Sequence, residues 1–419
     1  MRNVRITGIA ILAMACSVAQ AAPEVSVSGM ARIRSEAKNN ADFNKTSSDR
    51  VDFTTSRIQL STTVKQGDDW TFFFQPQFVR IWGQNDIVPT STTANTSTQT
   101  SGGLHDSNLT VHQAYLDFKL AGDSTLTAGR QEISYGDQLL LGAVGWSNIG
   151  RSFDAARAHV ALGAYGKLDV FKAELVDANV TSRTDGDYSL NGLYYMHSLG
   201  EYVKSFDLYY FNKADHRTSN GTPSENINTY GARLKSKVAD FDYRVEYSAQ
   251  SGRIPTGTAK KNSESQYDVE LGYSLAPLKT RLAVEMFNSS EFFDQLYPTA
   301  HKWLGFADQF ARRNISGYAA HLSLWPTDEL SFLVDYHMFK RTKTTSGAYK
   351  FNASTPYGTT GTEKDIASEI DVTLNYKLRE NLRLSALYAT VAPGKYLKAQ
   401  SAAQKDATSY TYLEIQASF

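Results

Sequence analysis

The chain has 419 residues, and its 43 lysines and arginines equal its 43 aspartates and glutamates, so the formal net charge is zero. That balance gives no electrostatic footprint for nucleic acid or another polyanion. The single cysteine, Cys16, rules out an intrachain disulfide framework and thiolate metal clusters.

Residues 1–21 read as a secretory signal peptide. Arg2 and Arg5 precede the apolar run 6–15, and Ala19-Gln20-Ala21 sets cleavage before Ala22. Cys16 falls inside this leader, with Ala13 where a lipoprotein signal needs an aliphatic residue. No later stretch is long and apolar enough for a transmembrane helix. Tyr (24), Phe (21) and Gly (28) are abundant, while mean hydropathy is only −0.39. A membrane barrel has this profile, because only alternate residues of each strand face lipid. A solenoid would repeat at a fixed period, and no such repeat is present.

Residues 22–419 read as one barrel domain of about eighteen alternating strands, roughly ten to fourteen residues each. Brief turns fall at 66–69, 121–123, 165–166, 199–204, 238–240, 276–278, 326–328 and 379–381. Long polar loops alternate with them at 83–107, 135–153, 290–312 and 342–366, the first with a Ser/Thr-rich tract at 90–101. The pattern predicts an all-β fold, a transmembrane antiparallel up-and-down β-barrel in the bacterial outer membrane. Short turns then mark the periplasmic rim and long loops the outer rim. An even strand number closes the sheet without a free edge.

The period of two assigns faces. Ile58, Leu60, Thr62 and Val64 point outward, so Arg57 and Gln59 point inward. Tyr230, Ala232 and Leu234 are outward, with Arg233 and Lys235 inward. Tyr243, Val245 and Tyr247 oppose Asp242, Arg244, Glu246 and Gln250. Ile370, Val372, Leu374 and Tyr376 oppose Glu369 and Asp371. Arg130, Glu132 and Arg157 join the inward set. A charge on the lipid face costs about 2–4 kcal/mol near the midplane, so inward placement holds whether these groups brace the wall or line a pore. Trp70, Tyr115, Tyr209, Tyr273 and Tyr388 are candidates for rim girdles or for plain strand packing.

The final strand sets Thr411, Leu413, Ile415, Ala417 and Phe419 on one face, and Tyr410, Tyr412, Glu414, Gln416 and Ser418 on the other. Its terminal aromatic resembles the C-terminal signal read by the barrel-assembly machinery. That machinery, outer-membrane lipid and lipopolysaccharide are the expected partners.

Two longer segments carry a more specific resemblance. Gly129-Arg130-Gln131-Glu132-Ile133-Ser134-Tyr135-Gly136-Asp137, followed by Gly145-Trp146-Ser147-Asn148-Ile149-Gly150-Arg151-Ser152-Phe153-Asp154-Ala155-Ala156-Arg157, resembles the signature of the alginate export porin family. The stretch from Leu296-Tyr297-Pro298 through His301-Lys302-Trp303 to Asp308-Gln309-Phe310 resembles a second loop of that family. Tyr230-Gly231-Ala232-Arg233-Leu234 and Ala367-Ser368-Glu369-Ile370-Asp371 are weaker matches.

The resemblance implies an eighteen-stranded barrel with an arginine-rich constriction that passes a uronate oligomer or polymer, with no cofactor. Arg130, Arg151 and Arg157 are the implied constriction, oriented by Glu132 and Asp154. Arg57, Arg233 and Arg244 extend the ladder of donors, offset by Glu246, Glu369 and Asp371. The two motif loops would fold inward, packed by Trp146, His301 and Trp303, with Asp308 in the second. The neutral charge and modest loops keep open a general or small-solute porin, or a structural barrel with a plugged lumen. Catalysis lacks a Gly-x-Ser-x-Gly elbow, and the eight histidines form no zinc-type pair. No catalytic and no metal-binding residue is assigned.

Overall fold

The computed structural model describes residues 22–46, 49–83, 109–175, 188–215, 225–254, 260–358, 361–401 and 405–419. The leader and the tract at 90–101 lie outside them. Strands β1 (Glu24–Asn39), β2 (Val51–Gln66), β3 (Trp70–Ile81), β4 (Leu109–Lys119), β5 (Thr125–Gln131) and β6 (Phe153–Ala161) open the sheet. It continues with β7 (Lys167–Glu174), β8 (Tyr188–His197), β9 (Ser205–Asp215), β10 (Asn226–Val238), β11 (Phe241–Ile254) and β12 (Lys260–Leu275). The last third is β13 (Thr280–Ser289), β14 (Ile315–Leu324), β15 (Leu330–Arg341), β16 (Asp365–Arg379), β17 (Leu382–Pro393) and β18 (Thr408–Ser418).

Each strand pairs antiparallel with the next, and β18 returns to β1 with Ile415 opposite Ile33, which closes an 18-stranded barrel. Closure satisfies every strand edge, the condition for a sheet surrounded by hydrocarbon. The short turns fall where alternation ends, as at Gly67, whose φ of +53° suits glycine. Ile58, Leu60, Tyr230, Tyr247, Ile370, Val372 and Leu413 are exposed on the outer face. Arg57, Arg233, Arg244, Glu246, Glu369 and Asp371 are buried on the inner one.

The girdle candidates divide. Tyr273 and Tyr388 are exposed outward, and Trp70 sits opposite the outward Phe118. Tyr209 instead points inward, buried, with its hydroxyl donating to Glu246 at 2.9 Å. Tyr115 stacks on Phe73 with ring centres 5.1 Å apart, on the lumen side with Asp117. The lumen therefore carries aromatic as well as charged residues. The reason is that long loops fill it. Phe43, Trp303, Phe310, Phe339 and Tyr396 belong to one buried cluster, and Ile133, Tyr135, Phe171, Tyr194 and Phe293 to another.

Candidate functional site

Two inward loops define the lumen, residues 132–152 between β5 and β6 and residues 290–314 between β13 and β14. The second contains α1 (His301–Leu304). Each is held to the wall by charged side chains placed inward by strand alternation.

On the β1–β2 wall, three guanidinium groups grip the first loop. Arg57 donates to the carbonyls of Gly145 (2.8 Å) and Ser147 (3.0 Å). Arg32 donates to the carbonyls of Trp146 and Ser147, both at 3.0 Å, and to Asn148 Oδ1 at 2.9 Å. Arg34 donates to the Trp146 carbonyl at 2.8 Å and pairs with Glu414. Its guanidinium also lies 4.6 Å over the Trp146 ring. Arg32 and Arg34 are absent from the sequence-based set. Their signal was present in Ala31-Arg32-Ile33-Arg34-Ser35-Glu36, which alternates charged with uncharged residues.

Further round the wall, β16 grips the second loop with carboxylates. Glu369 accepts from the Ala307 amide at 2.8 Å and Asp371 from the Phe306 amide at 3.3 Å. Gly305 has φ +86°, and a Cβ there would collide with the Glu369 carboxylate, so only glycine permits this approach. Trp303 lies under two arginines, with Arg244 at 4.3 Å and Arg312 at 5.8 Å. Asp308 is next to Lys38 in the same loop contact, and burial pushes its carboxyl up to about 7 against the pull of that lysine.

The loops are stitched to each other. Leu141 and Tyr297 form a parallel bridge, and the Thr299 amide donates to Gln138 at 3.0 Å. Arg151 donates to the carbonyls of Gly142 (3.1 Å) and Pro298 (3.2 Å) and to that of Tyr297. His301 packs on Trp146 with ring centres 4.6 Å apart. Burial, then Arg34 and Lys302, lower its pKa to about 3, so the ring is neutral. Asp137 receives Arg233 and Lys235. Burial raises its carboxyl, but these cations hold it below the usual carboxylate range.

The sequence-based constriction set is not brought together at one point. Arg157 faces inward beside Tyr135. Arg151 is a clamp between loops. Arg130 is on the outer side of the wall. It alternates with the buried Gln131, lies opposite Asp154, and both members of that 3.3 Å pair are more than a third exposed. Asp154 therefore orients Arg130 outside the lumen, and Glu132 bonds His112 at 2.8 Å instead of a constriction arginine. The misplacement has a local cause. β5 is only seven residues long and stays in register with both neighbours, so regular alternation places Thr127, Gly129 and Gln131 inward and Arg130 outward. Arg233 spans Asp137 and Asp207, and Arg244 spans Asp268, Glu270 and Glu285.

What reaches open solvent has one sign around two of these carboxylates, Asp137 and Glu414. Lys235 and Lys302 are each 49% exposed, whereas their shared partner Asp137 is 13% exposed. Arg383 is 51% exposed over a Glu414 that is 7% exposed.

The closed antiparallel barrel, with its outward apolar face and inward polar one, has the architecture of a bacterial outer-membrane porin. The chain belongs to the alginate export family, whose sequence profile matches residues 24–410. No curated protein matches. Among solved structures, OccAB2 of Acinetobacter baumannii is 12% identical, over 94% of this chain and 98% of its own, with TM-score 0.65. OprD of Pseudomonas aeruginosa is 10% identical over 94% of this chain and 93% of its own, with TM-score 0.63. OccK2 (OpdF) of Pseudomonas aeruginosa, solved in complex with glucuronate, is 10% identical over 94% and 96%, with TM-score 0.60. At these identities the likeness is one of fold.

Proposed function

We propose that this porin passes anionic sugar acids of the uronate class through the gap its two inward loops leave. The observation that carries the reading is the exposure asymmetry of the lumen pairs. Lys235, Lys302 and Arg383 present accessible cations while their carboxylates are buried. A low-dielectric wall focuses that charge on a passing anion. Arginine and lysine suit carboxylate recognition, the former by its bidentate fork. The export family and the glucuronate held by OccK2, a barrel of the same fold, support this solute class. Arg57, Arg244 and Arg151 act mainly by holding the loops that set the bore, and Arg157 adds inward charge. Phe419 on the last strand serves as the signal for the assembly machinery, and the outer face meets lipid and lipopolysaccharide.

The dense stitching of both loops favours a second reading, a barrel closed at rest. Reversal potential in a salt gradient separates the two. The wild type should prefer anions, and the Lys235→Glu/Lys302→Glu variant should move towards cations. Equal reversal potentials from two intact barrels would remove the selectivity role, and no conductance at all would favour the closed barrel.

A further inference from the structure

Four titratable side chains stand side by side on the inner face of β12–β15. Glu270 is directly opposite Glu285, and His321 is directly opposite Asp335. One ligand atom each from Glu270, Glu285 and His321 lies within 4.8 Å of the others. Two carboxylates in direct register repel, so positive charge is needed between them. Arginines supply part of it. Arg244 reaches Glu270 at 3.1 Å and Glu285 at 3.3 Å, and Arg281 reaches Glu270. Both are shared, Arg244 with Asp268 and Arg281 with Asp242, while Arg312 also serves Asp268. Three arginines thus face five carboxylates once Asp335 is included, a deficit of two charges when His321 is neutral.

Two atoms without hydrogen bonds meet at this place. Glu285 Oε1 is buried and accepts no hydrogen bond, on a side chain 4% exposed. His321 Nε2 is buried, donates and accepts none, and lies 3.5 Å from Glu285 Oε2. The other ring nitrogen, Nδ1, bonds Asp335 at 2.6 Å. A carboxylate on Nδ1–H fixes the tautomer that presents the Nε2 lone pair outward as a ligand.

We propose that Glu270, Glu285 and His321 bind a divalent cation of the zinc class, with Asp335 positioning the histidine. Imidazole with carboxylates suits zinc, whereas calcium takes oxygen ligands. Zinc bonds of about 2.0–2.2 Å set tetrahedral neighbours roughly 3.3–3.5 Å apart, which matches the 3.5 Å between His321 and Glu285. Three protein ligands leave a fourth position for water or a solute carboxylate. Arg244 and Arg281 keep Asp268 and Asp242 when they yield to the ion, and its two charges cancel the deficit. The three ligands come from three strands, so no short motif announces them.

The test uses the folded barrel in detergent, freed of metal by a chelator and titrated with zinc chloride by calorimetry, with metal content read by mass spectrometry. Binding does not depend on conductance, so it is independent of the transport reading. One zinc per chain is expected. His321→Ala and Glu285→Gln should weaken binding at least tenfold. Asp335→Asn should weaken it by about 10- to 100-fold, as loss of such a partner does elsewhere. His197→Ala, at a periplasmic turn, should change nothing. Heat modifiability shows that each variant is folded. No bound zinc in the wild type, or equal affinity in folded His321→Ala, overturns the proposal. The first result would make His321 a protonated link between Asp335 and Glu285.

Discussion

Gly29 and Phe419 meet at the seam where the barrel closes. They exchange backbone hydrogen bonds at 2.9 and 3.1 Å, and the Phe419 ring lies over Gly29 on the outer face, where a Cβ would collide with it. An aromatic over a strand glycine shields backbone that has no side chain of its own. Gly29→Val should therefore lower the yield of heat-modifiable folded barrel, as should deletion of Phe419, and the two changes together should be less than additive because they break one contact. Full yield from Gly29→Val would show that the ring does not seat there. At this scale the sequence was legible where one face was plainly apolar. Arg57 stands between Ser56 and Ile58 in a strand with four outward apolar or threonine positions, and its face follows. Arg130 follows Thr-Leu-Thr-Ala-Gly, where the contrast between faces is weak. For Tyr209 the choice between girdle and packing stayed open for another reason, since its strand has apolar residues on both faces.

The inward loops are the elements on which the account turns. Their positions in sequence were readable as long polar connections, but their docking was not, because it rests on backbone carbonyls and amides that any sequence possesses. Arg32, Arg57, Glu369 and Asp371 recognise those groups. His301 gives the docking a pH dependence. Its value of about 3 in the packed loop lies below the ordinary value of about 6.5. The packed form then binds fewer protons than the open form between those limits. Packing is favoured above about 6.5 and weakens as pH falls towards 3. Asp308 acts in the opposite sense. Its carboxyl is raised to about 7, so its contribution is present at low pH and lost as pH rises through 7. His301→Phe isolates the histidine, because a phenyl ring fits between Trp146 and Phe306. From pH 7 to pH 4, single-channel records of the wild type should show a larger rise in loop-open states than those of the variant. Matching pH profiles would mean that His301 does not report on docking.

At the scale of the whole molecule, strand count, turn positions and the two-faced wall followed from alternation, because hydrocarbon outside and water inside impose it on every strand. The solute did not follow, because it depends on which charges the folded loops leave accessible. The central claim is that those charges admit a small sugar acid to a loop-narrowed bore. Proteoliposome swelling tests it most directly, comparing glucuronate with glucose and glucosamine, which are of similar size and differ in charge. The account predicts entry of glucuronate faster than glucose and of glucosamine slowest, with the order lost in Lys235→Glu/Lys302→Glu. Equal entry of all three, or fastest entry of glucosamine, would contradict it.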